Sequence, residues 1–131
     1  MAPSHDHAEI LLVDDDPSFR ANLTDLLCED GFAVRVYGSP GEVPPLATLD
    51  KITLMITDYE MPEENGLAFA DRFHAAHPDV PVMLLTGYGA AVLESSLRAR
   101  RFVHLCSKPF LFDEFHSLLH RLTGTSGLSQ S

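Results

Sequence analysis

A short apolar run that ends in a single carboxylate constrains the fold of this chain more than any other feature. Residues 52–57 are mostly large apolar or β-branched, and Asp58 follows them directly, ahead of a loop that contains Pro62. The run is too short to span a membrane and is bounded by turn-forming residues, which is typical of a buried β-strand. In parallel α/β sheets, ligands bind beyond the carboxyl ends of the strands. We therefore predict that a strand delivers Asp58 to a surface cleft.

A second apolar run also ends in acidic residues. Residues 9–13 precede Asp14, Asp15 and Asp16, and Pro17 comes next. If both runs are strands of one sheet, four carboxylates meet at one edge, and like charges that close are unfavourable unless a cation neutralises them. All-oxygen ligation favours the hard cation Mg²⁺. The pattern therefore predicts a magnesium site.

Two further predicted strands end in other polar side chains. Residues 80–85 lead into Thr86, and residues 102–107 lead into Lys108. A hydroxyl and an ammonium group beside a carboxylate and a metal ion are the groups that stabilise charge on a transferring phosphoryl group. The four strand ends together therefore indicate phosphoryl chemistry.

Four segments in order, LLVDDDPSFR, MITDYEMPEENGL, PVMLLTGYG and SKPF, resemble the receiver domain of two-component response regulators. The resemblance covers about residues 9–122. It implies an α/β fold with a single flavodoxin-like (βα)5 domain, a doubly wound parallel sheet with strand order 2-1-3-4-5. Residues 1–8 and 123–131 are predicted to be flexible tails.

The resemblance implies the metal ligands. Asp15 matches the direct ligand of Mg²⁺ and Asp14 its water-mediated neighbour, while Asp58 and the backbone carbonyl of Glu60 complete the protein's contribution. Asp58 itself matches the phosphoacceptor, which takes the phosphoryl group from a histidine kinase or a histidine phosphotransfer protein. The expected product is an acyl phosphate.

The resemblance also implies roles for Thr86, as the hydroxyl that senses the phosphoryl group, and for Lys108, as its cationic partner. A cis bond between Lys108 and Pro109 is expected. One position departs from the family pattern: receivers usually carry Tyr or Phe three residues before the lysine, where the ring's orientation reports phosphorylation, and here that residue is Leu105. An alternative function is therefore a phosphorylation-independent, receiver-like adaptor.

A third alternative is an aspartate-nucleophile phosphatase, because Asp14 to Asp16 also reads as D-x-D after a strand. That chemistry needs a later acidic pair for the metal, which Asp113 and Glu114 would have to supply. With 131 residues we expect one domain, a receiver without an output domain. It should not be an enzyme beyond its own phosphoryl chemistry, and it should act on an unknown downstream protein partner.

Charge and composition exclude several classes of partner. The formal net charge of −10 argues against nucleic acid as a partner, because phosphate backbones attract clustered Lys and Arg. The chain has two cysteines, no recognisable secretory signal and no apolar stretch long enough to span a membrane. We therefore expect a cytoplasmic protein with no direct membrane contact.

Helix boundaries follow from local signals. Asp16 should cap the helix that begins at Pro17, and Gly31 should close it. Pro44 and Pro45 predict that the helix after strand 2 is short and starts late.

In the last predicted helix, a buried stripe is expected at Leu111, Phe115, Leu118 and Leu122. His116 and His120 have metal-ligand spacing on the same helix, but no third ligand is evident from the sequence, so a solvated face is predicted. His5 and His7 in the N-terminal tail lack further ligands as well.

Overall fold

The computed structural model describes residues 9–87 and 90–124. Within these residues, five strands and four α-helices follow one another along the chain. They are β1 (Glu9–Val13), α1 (Pro17–Glu29), β2 (Ala33–Tyr37), β3 (Ile52–Asp58), α2 (Gly66–Ala76), β4 (Val82–Thr86), α3 (Ala90–Arg98), β5 (Val103–Ser107) and α4 (Phe112–Thr123). The predicted tail 1–8 and residues 125–131 of the predicted tail 123–131 lie outside the described residues, whereas Thr123 ends α4 and Gly124 caps it.

All five strands are parallel, and their order is β2-β1-β3-β4-β5, which confirms the predicted flavodoxin-like sheet. Helices cover both faces, and each face has its own apolar cluster. One cluster includes Met55, Phe69 and Phe73, and the other includes Leu27 and Phe115. Because the strands are parallel, their carboxyl ends meet at one edge of the sheet.

The connection between β2 and β3 differs from the prediction. Instead of a short, late-starting α-helix, it contains two 3-10 turns, Pro40–Glu42 and Leu46–Thr48. The consecutive prolines Pro44 and Pro45 explain the difference, because each lacks a backbone N–H and disfavours helical geometry in the residue before it. This crossover therefore has no α-helix.

The predicted start of α1 is confirmed, whereas its C-cap lies one residue before the predicted Gly31. The Asp16 side chain accepts hydrogen bonds from the backbone N–H groups of Ser18 and Phe19, at 3.0 and 3.2 Å, and Pro17 occupies the first helical position. At the other end, Asp30 is the C-cap, and Gly31 follows it with a φ of 93°, a conformation that glycine adopts without strain.

Two predictions about the last helix, α4, are wrong. Leu111 precedes the helix and is 67% exposed, so it does not belong to the buried stripe. Of the other predicted positions, Phe115 is buried and Leu118 and Leu122 are partly buried, and the helix also buries Leu119 and His120. His120 turns inward because Asp30, from the end of α1, supplies a hydrogen-bonding partner there, which a buried polar side chain requires. The face that carries the histidines is therefore not simply solvated.

Within the described parts of the chain, none of the helices has the length and apolar character that crossing a membrane would require.

Candidate functional site

Three carboxylates meet at the carboxyl edge of the sheet. Asp58 is the last residue of β3, and Asp14 and Asp15 directly follow the neighbouring strand β1. One oxygen from each lies within 4.8 Å of the others. Asp14 and Asp58 are buried, whereas Asp15 is exposed. The structure thus brings together three of the residues that the sequence predicts as metal ligands.

Lys108 reaches the same site from the end of β5. Its Nζ lies 3.1 Å from Asp14 Oδ2 and 3.4 Å from Asp58 Oδ1. The Lys108 backbone N–H donates to the Thr86 carbonyl at 2.8 Å, which joins the loops after β4 and β5. The peptide bond from Lys108 to Pro109 is cis, as predicted. The lysine therefore places its charge between two buried carboxylates.

The position of Asp14 is set by its own loop. Its Oδ1 accepts a hydrogen bond from the Asp16 backbone N–H at 2.9 Å, and its carbonyl accepts one from Arg20 Nη1 at 2.7 Å. The Asp16 side chain caps α1. The acidic pair that a phosphatase would need is not at this site. Asp113 and Glu114 lie in the first turn of α4, and neither belongs to a cluster of potential metal ligands among the described residues.

The electrostatics of the site favour a cation. Burial, together with the negative charge of Asp14, raises the pKa of Asp58 to about 6, although Lys108 lowers it in part. Burial alone would lower the pKa of Lys108, but its hydrogen bond to Asp14 and its attraction to Asp14 and Asp58 raise it overall. A cluster of carboxylate oxygens with excess negative charge suits a hard divalent cation such as Mg²⁺.

Thr86 and Glu60 occupy the positions that the sequence predicts. Thr86 is the last residue of β4, is fully buried and adjoins Leu85, which pairs with Asp58 across the sheet. Glu60 is exposed and lies two residues beyond Asp58. The role of its backbone carbonyl stays a prediction.

Two residues that shape the site were not singled out from the sequence. The Phe19 ring lies under Lys108, with Nζ 4.2 Å from its centroid, a cation–π arrangement that restrains the lysine. Gly66 begins α2, and a Cβ there would clash with the Asp58 carbonyl oxygen and lie 2.8 Å from Leu84 Cδ1. No sequence pattern shows that the Phe19 ring reaches Lys108 or that a helix passes this close to Asp58.

Leu105, the aliphatic residue at the position where receivers usually carry an aromatic ring, lies in the middle of β5. It pairs with Leu84, is half-buried and packs against the apolar cluster that includes Met55 and Phe73. The position three residues before Lys108 therefore carries an aliphatic side chain packed on this cluster rather than an aromatic ring.

Comparison with known proteins agrees with this geometry. The family profile described as the response regulator receiver domain matches residues 10–120. The response regulator receiver protein CpdR of Brucella abortus is 32% identical over 101 residues, which are 77% of this chain and 84% of CpdR. The DNA-binding transcriptional regulator NtrC of Azospirillum brasilense is 30% identical over 87% of this chain, but this chain spans only 24% of NtrC.

A solved structure supports the same assignment. The response regulator protein TrrA from Thermotoga maritima, in complex with Mg²⁺-BeF, superposes with a TM-score of 0.74 at 29% identity. The match covers 88% of this chain and 98% of that one. Fold, site geometry and sequence similarity agree, and the chain therefore belongs to the response regulator receiver domain family.

Proposed function

We propose that Asp58 accepts a phosphoryl group from a phosphohistidine on a histidine kinase or phosphotransfer protein, in a Mg²⁺-dependent reaction. The observation that carries this proposal is the setting of the Asp58 carboxylate. It lies at the end of β3, 3.4 Å from the Lys108 ammonium, with carboxylate oxygens of Asp14 and Asp15 within 4.8 Å.

Asp58 acts as the nucleophile. With a pKa of about 6, its carboxylate is ionised in most molecules at neutral pH. An oxygen of Asp58 forms the new bond to phosphorus while the phosphorus–nitrogen bond of the donor breaks. The donor imidazole keeps that electron pair and takes up a proton, and Asp58 becomes an acyl phosphate.

Asp14, Asp15, Asp58 and the backbone carbonyl of Glu60 would hold Mg²⁺. When bound, the ion supplies positive charge that stabilises the phosphoryl oxygens and lessens the repulsion among the carboxylates. Their all-oxygen donor set fits this ion.

Lys108 and Thr86 complete the site. The Lys108 ammonium already contacts Asp58, so the same charge would pair with a phosphoryl oxygen once Asp58 is modified. The Thr86 hydroxyl would donate a hydrogen bond to the phosphoryl group, and the backbone bond between Thr86 and Lys108 would couple the two loops.

The receiver family consists of signalling modules rather than enzymes that turn over a separate substrate. We propose that this chain likewise passes its signal to a downstream protein through direct contacts. Its net charge of −10 supports a protein rather than a nucleic acid as that partner.

Intact-mass spectrometry tests the proposal. After incubation with Mg²⁺ and acetyl phosphate, we expect wild type to gain one phosphoryl group and Asp58→Asn to gain none. Asp79→Asn, which changes an exposed aspartate outside the site, is the matched control and should behave as wild type. Omission of Mg²⁺ should prevent the gain.

Leu105 favours a second candidate, an adaptor that works without phosphorylation, because no ring is available at that position to report the state of Asp58. If neither acetyl phosphate nor a kinase partner modifies the folded wild-type protein, this second function replaces the first. Circular dichroism of the same samples establishes that the fold is intact.

A further inference from the structure

We propose that Asp30, His116 and His120 form a binding site for a divalent transition-metal ion, with Zn²⁺ as the representative ion. Asp30 is the C-cap of α1, and the two histidines lie one turn apart on α4. The fold therefore supplies the third ligand that the sequence did not reveal.

The three side chains converge on one point. His120 Nε2 lies 2.5 Å and His116 Nε2 lies 3.4 Å from the same oxygen, Asp30 Oδ2. One ligand atom from each of the three residues lies within 4.8 Å of the others. Two ligands at the tetrahedral angle around zinc are roughly 3.4 Å apart, so the His116–Asp30 separation already fits and the His120–Asp30 pair has to open by roughly 1 Å.

The electrostatic setting attracts a cation. The C-terminal end of a helix carries partial negative charge, and α1 adds Glu29 and Asp30 there with no basic residue in its last turn. A carboxylate at this end of a helix is unfavourable unless neighbouring groups donate hydrogen bonds or supply positive charge. A divalent ion between Asp30 and the imidazoles would offset both the carboxylate and the helix dipole.

The donor set distinguishes this site from the one around Asp58. Two imidazole nitrogens and one carboxylate oxygen suit Zn²⁺ and similar ions, whereas carboxylate oxygens alone suit Mg²⁺. Three protein ligands leave a coordination position for water or another ligand. A cavity of about 200 Å³ adjoins the cluster, and its lining includes His116, Asp30, Glu29 and Phe112.

The ligands are accessible to an entering ion. The side chain of His116 is 42% exposed, that of Asp30 is 25% exposed and that of His120 is 11% exposed. His120 would therefore bind the ion from the buried side of the site, and His116 would bind it from the solvent side.

Isothermal titration with ZnCl₂, in the presence of excess Mg²⁺ to occupy carboxylate-only sites, tests the inference on the full chain. We expect one zinc ion per chain for wild type. Asp30→Asn and His116→Ala should each bind at least about tenfold more weakly, since each removes a ligand. His116 is preferred to His120 for the test because truncation of its half-exposed side chain preserves the core.

Two controls exclude other zinc sites. A double variant, His5→Ala with His7→Ala, removes the tail histidines and should bind zinc as wild type does. Asp58→Asn should also bind zinc normally, which separates this inference from the proposed phosphorylation. Histidine side-chain NMR should show the ring signals of His116 and His120 shifting on addition of zinc, while those of His77 stay unchanged.

Wild-type affinity in His116→Ala and Asp30→Asn would overturn the inference. The inference would also be overturned if the double variant His5→Ala with His7→Ala lost zinc binding, or if the wild-type protein bound no zinc.

Discussion

Two clusters of ionisable side chains lie at the two ends of α1, and they differ in the balance of their charges. At the N-terminal end, Asp14 and Asp15 crowd against Asp58, and one lysine only partly neutralises them. At the C-terminal end, Asp30 meets two imidazoles that can donate hydrogen bonds to it. The first cluster repels itself without an added cation, whereas the second is complementary as it stands.

This difference separates groups that serve chemistry from groups that also stabilise the fold. A nucleophilic carboxylate must remain reactive, and its burial beside other carboxylates costs free energy in the metal-free protein. The Asp30–His120 contact instead satisfies a buried side chain and joins α1 to α4. Four substitutions test this contrast, in order of expected effect.

Gly66→Ala should destabilise the protein by about 3 kcal/mol or more, because the added Cβ meets the backbone of the strand end that carries Asp58. Urea unfolding measures the change. Gly41→Ala is the matched control, since a Cβ there would have its nearest neighbours at 3.9 Å, and it should change stability by less than about 0.5 kcal/mol. Equal stability of the two variants would show that the approach of α2 to β3 is not tight.

Asp58→Asn should stabilise the metal-free protein by up to about 3 kcal/mol near pH 7.5, because one pKa unit corresponds to about 1.4 kcal/mol. The pKa of Asp58 rises from 3.8 to about 6 on folding. The folded state thus holds the proton more tightly, and this favourable contribution is complete below about pH 4 and lost as the pH rises through about 6.

Urea unfolding in EDTA across that pH range measures the effect. The advantage of Asp58→Asn should shrink as the pH falls toward 4 and also when Mg²⁺ is added. The exposed Asp79→Asn serves as the control and should show neither dependence. A variant less stable than wild type at neutral pH would contradict the description of this cluster as self-repelling.

In contrast to Asp58→Asn, His120→Ala should destabilise the metal-free protein, by about 2 kcal/mol, since it removes a buried side chain and its hydrogen bond to Asp30. The same unfolding assay in EDTA applies. Arg121→Ala, at the exposed neighbouring position, should stay within about 0.5 kcal/mol of wild type. If His120→Ala is as stable as wild type, the two clusters do not differ in their contribution to stability.

Asp16→Ala should cost about 1 kcal/mol, because two backbone N–H groups at the start of α1 lose their acceptor. Asp25→Ala, at an exposed position within the same helix, lacks this role and should be neutral or slightly stabilising. Thermal unfolding compares the two. A similar loss in both variants would show that the cap contributes little here.

Local patterns predicted much of this structure. The apolar runs marked β1, β3 and β4, and the residues at their ends marked the acidic site, because a parallel sheet collects its strand ends at one edge. The caps of α1 followed from Asp16, Pro17 and Gly31 because these signals act over only a few residues.

The wrong predictions concern features that depend on packing. Leu111 precedes α4 and is exposed, whereas His120 within the helix is buried and contacts Asp30 at the end of α1. In the β2–β3 connection, Pro44 and Pro45 led to the prediction of a short, late-starting helix, but the chain forms two 3-10 turns and no α-helix.

Sequence alone therefore determined the alternation of strands and helices, the place of Asp58 at a strand end and the excess of acid around it. Tertiary structure alone placed Phe19 beneath Lys108, set Gly66 against Asp58 and joined Asp30 to His116 and His120. The physical reason is range: periodicity and capping act between residues a few positions apart. Contacts such as Asp30 with His120 join residues 90 positions apart, and they exist only once the helices have packed on the sheet.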